Sequence, residues 1–314
     1  MSDVHVVIAT YNCVRWLDRC LGSLRARGLA ATTVVIDNGS SDGTRAAIAE
    51  RYPEVSLLKS ERNVGFGAAN NRGISRALRR GARYVLLLNH DAWLVDDGLE
   101  SALGLLDRDE RIAVVSPVHV QADGRTLDPL FRRHLERAGL DADRLARGGV
   151  REPLEVPFVN AAAWLLPRAA LLQLGGFSPL FTHYGEDREF ASRLRHHGYR
   201  TVVLPAWRVV HDRGDRPLGW RDAPQASVRG MSTGLTWRLA DPARGTLGRL
   251  ARATAWQVGN VASALRAGYW AALPQAARQI ADAVRQGQRR RVLRRQVLQP
   301  GPHFLALDDE KEWA

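Results

Sequence analysis

The stretch His183-Tyr184-Gly185-Glu186-Asp187-Arg188-Glu189-Phe190 sets two adjacent carboxylates, Glu186 and Asp187, directly after a glycine, with a further acid at Glu189. A positioned carboxylate can accept the proton of an attacking hydroxyl, and a second one beside it raises its pKa by like-charge repulsion. Acids in the first turn of a helix are also favoured by the helix dipole, so the same residues suit a plain helix start. The residues C-terminal to the pair tip the balance. Residues 190–195 read as a helix closed by Gly198, then comes the apolar run Thr201-Val202-Val203-Leu204, then Pro205, and six residues later His211. A carboxylate pair, a helix, a buried strand and a histidine are the parts needed for metal-assisted or general-base chemistry.

The elements that must position these groups recur with a βα period. Residues 4–9 are a short apolar run suited to a strand buried on both faces; Thr10-Tyr11-Asn12 ends it, and a helical pattern (Trp16, Leu17, Cys20, Leu21, Leu24) runs to Gly28. The unit repeats with a strand at 33–36, a polar turn at 37–43 and a helix at 44–52. A third strand at 55–58 and helix at 68–80 come next, then a fourth strand at 84–88 leading to Asn89-His90-Asp91. Strands and helices alternating at this spacing imply right-handed crossovers and an α/β fold, a mostly parallel sheet with helices on both faces. Ligands of such sheets sit outside the carboxyl ends of the strands, which groups Tyr11, Asn12, Asp37 and Asp91 on one edge. Singly, Asp37 suits a turn and Asp91 a helix cap; together they favour a site.

Between Pro117 and Pro157 the pattern weakens, and a loop-rich insertion able to move over the site is expected. Beyond His211, residues 212–226 read as a polar linker or acceptor-side loop. Leu247, Leu250, Thr254, Val258, Val261, Leu265 and Tyr269 then form one stripe of an amphipathic helix, and a second helix runs from Gln275 into six arginines between Arg285 and Arg295. A catalytic domain over 1–214 and a helical C-terminal region over 215–314 are the expected division.

The net charge is +12. That suits phosphates, nucleic acid or an anionic membrane surface, but no zinc-ligand, RNA-recognition or basic-zipper pattern supports a nucleic-acid partner. Cys13 and Cys20, about 10 Å apart along one predicted helix, are too distant for a disulfide and read as reduced thiols of a cytoplasmic protein. The N-terminus lacks the pattern of a signal peptide, and no stretch has the length and apolarity of a spanning helix. The C-terminal arginines leave two partners open: an anionic membrane surface on the inner face, or packing on the catalytic domain or a second subunit of a homo-oligomer.

The ordered motifs resemble a known family. Val7 to Asn12, Val35 to Thr44, Asn63 to Gly73, Leu88 to Ala92, Gly175-Gly176-Phe177, Gly185-Glu186-Asp187 and His211 are similar, in order and spacing, to the inverting, nucleotide-sugar-dependent glycosyltransferases of family 2, in their bacterial rhamnosyltransferase-like branch. The resemblance covers residues 4–211. It implies the GT-A fold and transfer of a sugar from a dTDP-, UDP- or GDP-linked donor to a glycan or lipid-linked acceptor, in surface polysaccharide assembly. It implies Thr10, Tyr11 and Asp37 around base and ribose, with Asn63 and Gly65 shaping the nucleotide pocket. Asp91 would grip Mn²⁺ or Mg²⁺ against the diphosphate, and Asn89 stands where the family's first metal-motif acid is usual. His211 matches the histidine that completes the metal site, Asp187 the catalytic base, and Glu186 its neighbour.

Two alternatives compete. A sugar-nucleotide pyrophosphorylase would carry a Gly-rich, basic loop after its first strand, which Thr10-Tyr11-Asn12 is not. A non-catalytic sugar-nucleotide-binding protein would have no use for the Glu186-Asp187 pair.

Overall fold

The computed structural model describes residues 3–181, 184–213, 233–242 and 244–308. His183, the expected boundary at 214 and most of the polar stretch 212–226 lie outside them. Nine strands form one sheet in the order β3-β2-β1-β4-β8-β6-β9-β5, with β7 pairing β9 off this path. The strands are β1 (Val4–Thr10), β2 (Thr33–Asp37), β3 (Ser56–Lys59), β4 (Tyr84–Leu88), β5 (Ala92–Leu94), β6 (Ile112–Val120), β7 (Leu154–Val156), β8 (Ala163–Pro167) and β9 (Arg200–His211). β1, β2, β3 and β4 are parallel neighbours. β8 is antiparallel to both β4 and β6, so β6 and its parallel neighbour β9 resume the direction of the first four. The sheet is mostly parallel, as expected.

Helices α1 (Leu17–Arg25), α2 (Thr44–Arg51), α3 (Phe66–Arg79), α4 (Leu99–Arg108), α7 (Arg168–Leu174) and α8 (Glu186–His196) cover both faces. One face buries Leu17, Leu21 and Leu24 of α1 against Ile8, Val35 and Leu86; the other buries Ile74, Leu78, Leu171 and Leu194 against Val7, Val34 and Leu87. Alternate residues of one strand thus enter opposite cores, which is why these strands read as continuous apolar runs. Trp164 lies in the second core, fully buried among Phe177 and Phe190.

The weakly patterned stretch 117–157 is ordered. β6 runs on to Val120, then come α5 (Pro129–Arg137) and α6 (Ala142–Ala146), and β7 returns to β9. Phe131, Leu135, Leu145, Val118 and Val120 make a small core of their own. Its elements are too short for a clear period, hence the expectation of a loop. Asp128 caps α5, accepting from Leu130 N and Phe131 N at 2.8 Å each, with Pro129 in the first helical position. Pro205 likewise does not end its strand. β9 continues to His211, and the register shift opposite Pro117 and Val118 absorbs Pro205, Ala206 and Trp207.

The C-terminal region holds α9 (233–240), α10 (Thr246–Arg266), α11 (Ala272–Arg285) and α12 (Gly287–Val297); the single helix expected from Gln275 breaks at Gln286. Its end turns back onto the catalytic fold: Gly176 N donates to His303 O at 2.8 Å, and Ala306 N to Ser75 Oγ at 3.0 Å.

α8 is fixed by a buried ion pair. Arg193 is fully buried, its Nη2 2.8 Å from Glu189 Oε2 one turn earlier. The same guanidinium donates to Gly176 O at 2.8 Å and to Leu174 O, which binds α8 to the Gly175-Gly176-Phe177 turn. Glu189, a helix-start acid by sequence, is therefore a brace. Removing one partner of a buried pair strands the other's charge and costs about 3–5 kcal/mol. Arg193→Met should lower stability to urea by that order, and a loss below about 1 kcal/mol would show that α8 is held by other contacts.

Candidate active site

The turns after β1, β2 and β3 lace into one rim. Asn12 N donates to Ser40 Oγ at 2.9 Å, Ser41 N to Asn12 Oδ1 at 2.9 Å, and Cys13 N to Thr44 Oγ1 at 3.0 Å. Asn38 reaches the next loop, donating to Asn63 Oδ1 at 3.0 Å and accepting from Val64 N at 2.9 Å, while Asn63 Oδ1 also accepts from Gly65 N. Only glycine serves at position 39: its φ is +84° and an added Cβ would lie 3.1 Å from the Arg62 backbone. Tyr11 projects from this rim, 46% exposed. Thr10 and Asp37 lie beneath it. Asp37 is fully buried; its Oδ2 accepts from Arg45 Nε at 2.5 Å and Ser40 N at 3.1 Å, and its Oδ1 from Thr10 Oγ1 at 3.4 Å. It holds the turn that shapes the rim.

Asp91 and His211 meet because β5 pairs with β9 in the register Ala92↔His211, and Asp212 N donates to Asp91 O at 2.8 Å. His211, which could have been a loop histidine at the surface, is buried at the end of a strand. Its Nε2 lies 3.5 Å from Asp91 Oδ1, and its Nδ1 lies 3.3 Å from Asp128 Oδ2. Burial opposes charge on His211, but Asp91 and Asp128 outweigh it and raise the imidazole pKa to about 9. Burial also opposes charge on Asp128, yet His211 and Arg213 hold it well below the usual carboxylate range; Arg213 Nε donates to Asp128 Oδ2 at 2.5 Å. Neighbouring His119 is driven down to about 3 by burial and then by His211, so it stays neutral.

This arrangement fits a divalent cation. An oxygen donor and a ring nitrogen converge, the imidazole having to give up its Nε2 proton to a bound ion, and Asp128 lies beside the far ring nitrogen, where a carboxylate supports a metal-ligating imidazole. Among the described residues no three His, Cys, Asp or Glu side chains are arranged so as to hold a metal ion by themselves, so an ion here would take its remaining ligands from phosphate and water. Asp128 was not singled out by sequence; its only signal there is Asp before Pro, a cap signature silent about His211, which lies more than eighty residues away. His90 is structural, its Nδ1 3.2 Å from Ala9 O and its ring on Trp16.

Glu186 and Asp187 open α8 after two left-handed residues, Tyr184 at φ +67° and Gly185 at +98°. A Cβ at 185 would lie 2.6 Å from Thr233 Cγ2. The two acids part ways. Glu186 is 5% exposed, packs beside Gly67 at the start of α3, and its Oε2 has no hydrogen-bond partner among the described residues. Burial, then the charge of Asp187, pushes its pKa up to about 8. Asp187 is half-buried, and its Oδ1 accepts from Arg188 N at 2.8 Å. Environments that separate two neighbouring carboxylates in this way divide acid and base roles between them. Two bridges tie this turn to the rest. Gly67 lies just past the Asn63–Gly65 rim, and Arg188 stacks on Phe158 at 4.3 Å, which in turn meets His134 of α5.

Because Glu186 binds its proton more tightly folded than unfolded, stability falls as pH rises from the unfolded carboxylate value, 4.5, through about 8. Glu186→Gln, which mimics the protonated acid, should match wild type in melting temperature at pH 5 and exceed it at pH 9. Parallel pH–melting curves for the two proteins would refute a buried neutral Glu186.

Comparison with known proteins identifies the family and the fold. The model of glycosyl transferase family 2 matches residues 5–175, more than half the chain; Glu186, Asp187 and His211 lie beyond the matched segment. The chain is 29% identical over 241 residues to the N-acetylglucosaminyl-diphospho-decaprenol L-rhamnosyltransferase of Mycobacterium tuberculosis, covering 67% of this chain and 76% of that protein. It is 23% identical over 228 residues to the dTDP-rhamnosyl transferase RfbF of Shigella flexneri, covering 69% and 71%. Among solved structures, the mannosyltransferase PcManGT of Pyrobaculum calidifontis, in complex with GDP-Man and Mn²⁺, superposes with a TM-score of 0.55 at 21% identity. That superposition covers 90% of this chain and 75% of that one, and the shared fold is GT-A. Family membership decides against the pyrophosphorylase alternative: the chain is a glycosyltransferase and belongs to glycosyl transferase family 2, among its rhamnosyltransferase-like members.

Proposed function

We propose that this enzyme moves a sugar, rhamnose foremost, from a nucleoside-diphosphate donor to a hydroxyl of a lipid-linked or glycan acceptor, inverting the anomeric carbon, with Asp187 as general base. The observation that carries the reading is the first turn of α8, where one carboxylate is buried against Gly67 while its neighbour stays half exposed. The name of the Shigella flexneri relative supports a dTDP-linked donor ahead of UDP or GDP, and that of the Mycobacterium tuberculosis relative a lipid-linked acceptor. The setting would be polysaccharide assembly in the cytoplasm, against the inner membrane face.

Tyr11 and the Asn63–Gly65 loop would receive base and ribose, over a floor of Thr10 and Asp37. Asp91 and His211 would hold Mn²⁺ or Mg²⁺, and such an ion supplies charge to bind the diphosphate and ease its departure. The acceptor oxygen bonds to the anomeric carbon as the bond from that carbon to the diphosphate oxygen breaks, and Asp187 takes the hydroxyl proton. Glu186, neutral at pH 7, leaves Asp187 without a second charge beside it.

Two variants measured side by side test this reading. Asp187→Asn keeps shape and removes basicity, so turnover should fall about 10²–10⁴-fold while donor affinity holds. Asp91→Ala should weaken donor binding and turnover together and abolish the Mn²⁺-dependent rise in melting temperature with nucleoside diphosphate. At a hundredfold excess over Kd that rise corresponds to about 2.7 kcal/mol in wild type, and comparing dTDP, UDP and GDP identifies the base. Near-wild-type turnover in Asp187→Asn removes it as the base. Undiminished Mn²⁺-dependent stabilisation in Asp91→Ala removes Asp91 from the metal. A protein that binds donor and never releases nucleoside diphosphate would be a sensor instead.

A further inference from the structure

We propose that the hairpin of α10 and α11 is a docking surface for an anionic lipid bilayer, with its exposed apolar stripe laid into the headgroup region. The hairpin is built inside out. Where the two helices pack, the buried residues are small or polar: Ala253 and Gln257 of α10, and Ala272, Ala276 and Gln279 of α11. Gln257 Nε2 donates to Gln279 Oε1 at 3.0 Å. The large apolar side chains lie outside. Leu273, Ala277, Ile280 and Val284 recur along α11 at the spacing of a single stripe, all exposed, and Val284 is 73% exposed. Leu247 (84%) and Val258 carry a second stripe on α10, and Trp270 (70%) stands at the turn between the helices. The apolar stripe read from sequence on α10 faces outward from Leu247 to Val258, while Val261, Leu265 and Tyr269 are half-buried. Trp256 is not part of it, being packed against Gly234 of α9.

An amphipathic surface of this kind needs a cover, and its charge selects which one. Residues 246–297 hold ten arginines and a single acid, Asp282. Arg278, Arg285, Arg291 and Arg295 are exposed. A second copy of the same face would bring that positive charge against itself, whereas an anionic bilayer neutralises it and accepts the apolar stripe at the same time. No helix among the described residues is long and apolar enough to cross a membrane, so the surface would lie on the bilayer without spanning it. The inference stands apart from the assignment of Asp187 and survives if that fails.

Flotation of the full chain with vesicles tests it, using phosphatidylcholine alone or mixed with phosphatidylglycerol. Wild type should float with the mixed vesicles at low salt, much less at high salt, and not with phosphatidylcholine alone. Arg278→Gln, Arg291→Gln and Arg295→Gln together should weaken partitioning by on the order of a hundredfold. Leu273→Gln, Ile280→Gln and Val284→Gln together should abolish the salt-resistant remainder. All these positions are exposed, so melting temperature should hold in both variants. Failure of wild type to float, or equal flotation of the stripe variant, overturns the proposal. So does a wild-type dimer in sedimentation that the stripe variant dissolves, since the face would then belong to a second copy.

Discussion

Arg193 carries its charge with no exposure to water, and the placement of α8 depends on how that charge is satisfied. Glu189 neutralises it from within the helix; the carbonyls of Leu174 and Gly176 take its remaining donors. An isolated buried charge would be intolerable, so the helix has one seating in which the guanidinium is fully served. That seating sets Glu186 against Gly67 and leaves Asp187 half-buried at the helix start. The Gly175-Gly176-Phe177 turn thus receives α8 in the same way that the rim glycines receive the loops around them.

The second constraint is electrostatic and runs through residues 117–157. Asp128 caps α5, faces the far nitrogen of His211 and pairs with Arg213. The small core beneath α5 therefore sets the orientation of a histidine at the end of β9. His134 of the same helix reaches α8 through Phe158 and Arg188. The insertion links the His211 side of the site to the Asp187 side through buried His134 and half-buried Phe158 and Arg188.

Much of this was legible in the sequence, for physical reasons that can be named. Strands buried on both faces leave unbroken apolar runs, so β1, β2 and β4 announced themselves, and the polar residues just past them marked the edge of the site. The Gly-Glu-Asp start of α8 was visible, but that Glu186 and Glu189 are both buried, and that Glu189 is a brace, depended on Arg193 meeting carbonyls on another element. Asp128 could not be found because its partner is distant in sequence and its local pattern is that of an ordinary cap. Burial in α10 and α11 was misleading in the opposite sense: helical spacing told which residues share a face, but not that the face looks outward.

The central claim is geometric, that Asp187, and not Glu186, faces the acceptor hydroxyl across from a diphosphate held at Asp91 and His211. A crystal structure of the chain with nucleoside diphosphate, Mn²⁺ and an acceptor measures it directly. The account predicts the acceptor oxygen within about 2.6–3.2 Å of the Asp187 carboxylate, with the ion bound by Asp91 and His211 and Glu186 still packed beside Gly67. An acceptor oxygen held by Glu186, or an ion bound away from Asp91 and His211, would contradict it.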